Sequence, residues 1–549
     1  MNYKDPSRRH RHHFLVKRLE ELETARRELL LQLEELDAQK NAIQLEFNEL
    51  QNVDAPISSL PDEVLGMIFE TGVLLDDLPK SQFATLVSHV THSWRSIALT
   101  TPRLWNTIFW DLGRQFLPED AEEIEEPLRV ALSQNLQKAA EIASAFLSRS
   151  SSAPIDIYIR HLRLEELKHG GADLARMFEL IHTHFDRCRY LCIQDADRWA
   201  VEKTAEKICC RPAPLLRSID LGVNIFWDSE VEFVPSTSFL PCGTPRLNTA
   251  HLDWIKVSFI HRNLHAFRYL QSLRLVCFID NENDHALLAK ALNSMRALDY
   301  LELDLTEEVP DLPALTQSTI RFLCLRINQN HHGRATQCFQ AVSLKTLAIE
   351  CELSESEMGF DLDGSSQAGF PLLQHLVLID ITINRLELGA FASRFPQIRR
   401  LTCQGYDPGF EMGHVLDAMG AGAIERNPAS AAEVSLHWKK LHTIAVSGPN
   451  AALGVPESQT ASQLNALQAA SIPAPRLGVP DSQLNHLVAT LQAAGIPIRR
   501  LMLPPAFITH ADGGMMTSLR KLVEVEDFSL DWPMPFEYSE QFGGASVNF

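Results

Sequence analysis

The chain lacks the short patterns around which familiar enzymes build their chemistry. It has no Gly-x4-Gly-Lys-Ser/Thr loop to cradle phosphate, no Gly-x-Ser-x-Gly turn to present a serine nucleophile, and no His-Glu-x-x-His helix to hold zinc. No run approaches the roughly 18 apolar residues of a membrane-crossing helix, and the first fifty residues are too charged for a secretory leader. The expected setting is therefore the cytoplasm or the nucleus. Basic residues are the scarcer sign, 50 Lys and Arg against 70 Asp and Glu, for a net charge of -20. That balance disfavours nucleic acid and membrane surfaces as partners of the whole chain, although a local basic patch remains compatible with it. Ten cysteines lie between Cys188 and Cys403 without a Cys-x-x-Cys pair, which suggests neither a zinc ribbon nor a disulfide framework. Cys209 and Cys210 are adjacent, and buried or incidental thiols are the ordinary reading. No metal and no cofactor is expected.

Isolated candidates for chemistry have ordinary explanations. His331, His332 and His510 read as surface or satisfied histidines, and Glu307 and Glu308 as solvated charge in an acidic turn before Pro310. What is present instead is length and hydrophobic content: 549 residues at 45% hydrophobic fill several cores or one elongated solenoid.

The N-terminal region carries a heptad pattern. Leu15, Leu22, Leu29, Leu36, Ile43 and Leu50 recur every seven residues, with Leu19, Arg26, Leu33, Lys40 and Phe47 at the alternate seam positions. Residues 15–52 are predicted to form a coiled-coil-like helix. Such a helix gains little until its stripe is buried, so pairing with a second copy is the first expectation, and folding back onto its own chain the second. Ahead of it Arg8, Arg9, His10, Arg11, His12 and His13 read as a solvated, disordered basic tip over residues 1–14, with metal binding or nuclear import as rarer alternatives.

Residues Leu60 to Trp105 show short helical patterns. Ser58 or Ser59 can cap a helix, Pro61 suits its first turn, and Asp62 and Glu63 complement its positive end. Leu60, Val64, Leu65, Ile68 and Phe69 form one apolar stripe, and Phe83, Val87, Val90, Trp94 and Ala98 predict a second helix over residues 81–99. The Leu-Pro-x-Glu-Val-Leu-x-x-Ile-Phe opening, the Trp94-Arg95 pair and the Pro-x-Leu-Trp ending at Trp105 resemble an F-box. The resemblance spans residues 57–110 and implies a three-helix module that docks on the Skp-type adaptor of a cullin-containing ubiquitin ligase. It implies adaptor contacts at Leu60, Pro61, Ile68, Val87, Trp94, Leu104 and Trp105. Val90-Thr91-His92-Ser93 departs from the family, where Val-Cys and basic residues are common, and weakens the electrostatic part of that docking.

After a linker and helix over residues 111–152, which includes an acidic stretch at Glu119 to Glu126, the period changes. An apolar-x-x-apolar-x-apolar pattern returns at Leu216-Ile219-Leu221, Leu270-Leu273-Leu275, Leu298-Leu301-Leu303, Ile320-Leu323-Leu325, Leu344-Leu347-Ile349, Leu373-Leu376-Leu378 and Ile398-Leu401-Cys403. Tyr158, Leu191-Ile193 and Leu247-Ala250-Leu252 extend it backward, and Leu441-Ile444-Val446, Ile498-Leu501-Leu503 and Leu519-Leu522 extend it forward. These units resemble degenerate leucine-rich repeats. The expected fold is α/β: an irregular solenoid of short parallel strands and helices over residues 153–530, with a compact parallel-sheet domain as the rival. Leu453-Gly-Val-Pro and Leu477-Gly-Val-Pro mark a tandem duplication over residues 453–500, and residues 531–549 are a tail that either caps the array or stays disordered.

Within each strand alternate side chains face outward. Arg274, Glu302, Asp304, Arg326, Glu350 and either His375 or Val377 are the candidate recognition residues. Together the resemblances imply a non-catalytic substrate receptor: the F-box reaches the adaptor and, through it, a cullin, while the repeats bind a target protein that their mixed charge does not identify. The alternative is an interaction scaffold outside any ligase, dimerising through the N-terminal helix.

Overall fold

The computed structural model describes residues 6–73, 80–111, 126–161, 171–196, 198–209, 211–223, 239–253, 255–276, 282–305, 315–316, 318–328, 339–352, 369–379, 391–392, 394–405, 438–447, 481–493, 495–511, 513–533 and 535–536. The chain divides into two compact units at Thr71/Gly72. The acidic stretch at 119–125, Glu307, Glu308, Pro310, His331, His332, Cys210 and the first copy of the duplication, with Leu477, lie outside the described residues.

In the first unit α1 runs unbroken over Pro6–Asp54. Its start corrects the expectation of a disordered basic tip: Pro6 opens the helix, where a missing N–H costs nothing, and the helix carries His10 to His13 with it. Leu15, Leu22, Leu29, Leu36, Ile43 and Leu50 are each between 52% and 68% exposed, so nothing within this unit covers the heptad seam. A one-turn 3₁₀ helix, Pro56–Ser59, leads to α2, Asp62–Gly72, with Asp62 and Glu63 in its first turn. Ser59 does not cap α2 as expected. Its hydroxyl donates back to the Pro56 carbonyl at 2.7 Å, while the Pro61 carbonyl accepts the first helical bonds from Val64 and Leu65.

In the second unit the helix expected over 81–99 is two helices, α3 at Lys80–Val87 and α4 at His92–Thr100. Thr91 explains the break. It is extended, at φ -142°, and its hydroxyl accepts from the Trp94 N–H at 3.0 Å, capping α4. The residue that departs from the family pattern thus has a structural duty.

Among the described residues sixteen strands follow. They are β1 Thr107–Asp111, β2 Ile155–Arg160, β3 Cys188–Ala196, β4 Ser218–Val223 and β5 Thr249–Asp253, then β6 Ser272–Val276, β7 Tyr300–Leu305, β8 Leu315–Thr316 and β9 Phe322–Asn328. The rest are β10 Phe339–Gln340, β11 Thr346–Glu352, β12 His375–Ile379, β13 Arg400–Gln404, β14 Thr443–Ser447, β15 Arg500–Leu503 and β16 Glu524–Asp527. All but β8 and β10 join one fourteen-stranded sheet, and those two pair with each other. Every neighbouring pair in the large sheet is parallel and the spatial order follows the sequence order. A doubly wound domain would reverse its strand order at a switch point. Among the described residues there is none, so the solenoid reading holds and the compact rival fails.

The repeat pattern falls where the alternation predicts. Leu273, Leu301, Leu323, Leu347, Leu376 and Leu401 are fully buried and occupy matching register positions on adjacent strands. In several units the first apolar residue closes a turn onto the residue three before it: Leu270 N–H donates to Phe267 O, Leu298 to Met295, Leu344 to Ala341, Leu373 to Phe370 and Leu441 to Trp438. Those turn residues build part of the core, as where Phe395 stacks on Phe370 at 6.2 Å and accepts from the Trp438 indole at 3.0 Å. The array begins earlier than expected, because Thr107–Asp111 already forms a strand paired with β2. Two units depart from the expectation, one in its element and one in its face. Leu519 and Leu522 belong to the helix Gly513–Leu522, and Tyr158 lies on the face opposite the leucines, with Ile157 and Ile159 filling the core in its place. Past the helix Asp481–Ala493, Gly495 takes φ +87°, the left-handed conformation that favours glycine.

Candidate functional site

The sheet has two faces, and leucines occupy one. Register aligns the alternate residues of the other face into rows. One row reads Tyr158, Cys192, Asp220, His251, Arg274, Glu302, Cys324, Ala348, Val377 and Thr402 from β2 to β13. A flanking row includes Gly222, Asp253, Val276, Asp304, Arg326, Glu350 and Ile379. All the candidate recognition residues fall on this face, His375 together with Val377, since two residues apart along a strand they point the same way.

Its chemistry changes along the array. At the β2 and β3 end Tyr158 packs 5.0 Å from Tyr190, beside Cys192 and the partly buried Phe109. Burial raises the Cys192 thiol and the Tyr190 phenol well above their usual values, so both stay neutral.

The middle of the face is charged and paired within itself. His251 Nδ1 lies 3.0 Å from Asp220 Oδ1, while the Gln194 amide donates to the other Asp220 oxygen at 3.0 Å. Burial opposes a charged His251 ring, but Asp220 outweighs it and the ring titrates above its usual value. Arg274 donates to Glu302, which also accepts from the Tyr300 hydroxyl. Arg326 bridges Asp304 and Glu350, each at 3.1 Å. Asp253 stands apart. Burial pushes its carboxyl up to about 6, helped by Asp220 and Asp304 and opposed by His251, and its buried Oδ1 has no hydrogen-bond partner among the described residues.

Beyond β9 the face becomes apolar, with Cys324, Ala348, Val377 and Ile379 forming one cluster. The start of the tail covers it. After β16 the chain turns back through Phe528, and Leu530 and Trp532 pack on that cluster. The Trp532 indole donates to the Tyr300 hydroxyl at 2.6 Å and meets Tyr300 and Phe322 edge-on. Phe536 lies under the Arg274 guanidinium at 4.8 Å and against Tyr300 and His251. Arg400 donates to the Asp531 carboxylate at 3.1 Å and to the Ser529 carbonyl. A cavity of about 220 Å³ remains between this segment and the sheet.

The residues expected to touch an adaptor are divided by burial. In the first unit Leu60 is half-buried, Pro61 exposed and Ile68 44% exposed; in the second Trp94 is half-buried. Val87, Leu104 and Trp105 are instead core residues, 4%, 2% and 0% exposed. Trp105 explains itself: its indole donates to the Ala98 carbonyl at 2.7 Å, its ring meets Phe146 edge-on, and Arg149 covers it. Three of the seven named contacts therefore hold the second unit together and present no surface. Met67, Leu86 and Val90, which the resemblance did not single out, are more than half exposed.

No family model matches the chain, and no curated protein does. Among solved structures it is similar to the leucine-rich repeat-containing protein LegL7 from Legionella pneumophila. That match has 12% identity and a TM-score of 0.30, over 62% of this chain and 95% of that one. At that score the superposition is loose, and the repeat architecture rests on the sequential parallel sheet itself. Among the described residues no helix is long and apolar enough to cross a membrane, and no cluster of His, Cys, Asp and Glu has a metal-holding arrangement.

Proposed function

We propose that this chain is a protein-recognition subunit in which the second face of the sheet binds a target protein and the Leu60 to Trp105 segment docks on a Skp-type adaptor, bringing the target to a cullin-containing ubiquitin ligase. The observation that carries the recognition half is the face itself: fourteen strands in one parallel order, presenting aligned rows of aromatic, charged and apolar side chains. Such a surface binds by area and complementarity, and a receptor of this kind accelerates a reaction by holding partners together without supplying a catalytic group. The adaptor half is supported by the sequence resemblance and by the apolar side chains left uncovered there, Ile68 and Met67 on α2 and Leu86 on α3.

Co-purification tests the adaptor half. Leu60→Ala with Pro61→Ala in the full chain should abolish recovery of the adaptor and leave the thermal unfolding of the array unchanged. Undiminished recovery would reject the docking edge. The exposed heptad seam of α1 favours a second reading, a dimeric scaffold outside a ligase. That reading calls for adaptor binding with no cullin in the recovered complex.

A further inference from the structure

The segment Phe528–Phe536 behaves as a bound peptide that happens to be covalently attached. Its burial alternates over residues 528–533, where Phe528, Leu530 and Trp532 are half-buried and Ser529, Asp531 and Pro533 are exposed; beyond them Pro535 is half-buried and Phe536 buried. The chain lies along the surface with a bend at Asp531, which is left-handed at φ +49°. Past the backbone bonds at Phe528 and Ser529, its attachment is made by side chains, Leu530 and Trp532 on an apolar cluster, Phe536 against Arg274, and Asp531 with Arg400.

Two observations separate this contact from a finished core. The charged groups beneath the segment are already paired with one another, Arg274 with Glu302 and Arg326 with Asp304 and Glu350, so its departure strands none of those ion pairs. The cavity of about 220 Å³ below Trp532 and Phe536 is large against the few sub-water-sized voids of a close-packed interior. The apolar cluster, in contrast, needs a cover, because an exposed patch of that kind on a folded chain marks an interaction site.

We propose that residues 528–536 are a tethered occupant of the recognition face, standing in for a target segment of the same chemistry: a peptide with an aliphatic and an aromatic side chain on either side of an acidic residue and a second aromatic ring further along. The proposal rests on reading this face as the target-binding surface. The apolar alternate residues fill the cluster over β9 to β12, the acid meets Arg400, and an aromatic ring takes the place beside Arg274 and Tyr300. A tether of this length presents its segment at an effective concentration in the millimolar range, so a free target must compete with it.

The test uses the full chain, unsubstituted and carrying Trp532→Ala with Phe536→Ala, and a fluorescein-labelled synthetic peptide of residues 528–536 as the probe. Loosening the tethered segment should tighten peptide binding by about tenfold or more, and a probe peptide carrying Trp532→Ala should lose that binding. Equal affinity for the two chains would overturn the proposal. So would loss of the cooperative thermal transition in the doubly substituted chain, which would make the segment an irreplaceable layer of the core. The readout is independent of any target: peptide exchange without capture of a target protein rejects the target reading alone, and capture unaffected by the double substitution rejects the tethered occupant alone.

Discussion

Asp253 shows what one residue on the recognition face contributes to stability. Its folded carboxyl titrates near 6 against an ordinary 3.8, so the folded chain keeps a proton that the unfolded chain releases between those values. Stability therefore falls as pH rises from about 4 to 6, by up to about 3 kcal/mol for a shift of two pH units. Asp253→Asn should raise the unfolding midpoint at pH 8 and leave it unchanged at pH 4, which a pair of thermal melts would check. His375 works in the opposite direction. Burial, with Arg400 nearby, lowers its ring to about 3, and protonation of the unfolded chain below pH 6.5 weakens the fold. Comparing the variant with the unsubstituted chain at each pH cancels that common term. At this scale the sequence was informative about direction and uninformative about company. The two-residue period placed Arg274, Glu302, Asp304, Arg326 and Glu350 on one face, but their pairing across strands depends on register, which is set by connections of unequal length. Trp532 illustrates the limit: 232 positions separate it from the Tyr300 hydroxyl it bonds, and no spacing rule spans that interval.

Elements were legible where their periodicity was long and uninterrupted. α1 was predicted from its heptads, and the strands from the apolar-x-x-apolar-x-apolar unit. The α3 to α4 break was missed because Phe83, Val87, Val90 and Trp94 keep helical spacing across it, while the deciding signal is a single hydroxyl at Thr91. Thr91→Ala should cost about 1 kcal/mol, read as a lower denaturant midpoint with an unchanged slope. The uncovered seam of α1 supports a prediction of its own. If it pairs two copies, Leu29→Lys with Leu36→Lys in the full chain should convert a dimer to a monomer in sedimentation, since two charges cannot share a dry seam. A monomeric unsubstituted chain at micromolar concentration would dismiss the dimer. Trp105 carries the complementary lesson: family position suggested an adaptor contact, and local packing uses the same ring to join α4 to the helix Glu126–Arg149.

For the whole molecule, sequential strand order means that each strand of the large sheet rests on neighbours adjacent in the chain. Leu347 is fully buried in the middle of the array, and Leu347→Ala should cost about 2–5 kcal/mol, measured as the loss in unfolding free energy. That architecture was readable in the repeats because a recurring unit announces stacking before any register is known. Its closing contact was not readable, since the tail belongs to no repeat. The same order has a consequence in time. A ribosome releases β1 first and can complete the sheet strand by strand, but Trp532 and Phe536 emerge long after Cys324 to Ile379. At about 5–20 residues per second the apolar cluster waits on the order of ten seconds for its own cover. For that interval every newly made chain carries a vacant berth, open to a chaperone or to a neighbouring nascent chain before its own tail arrives.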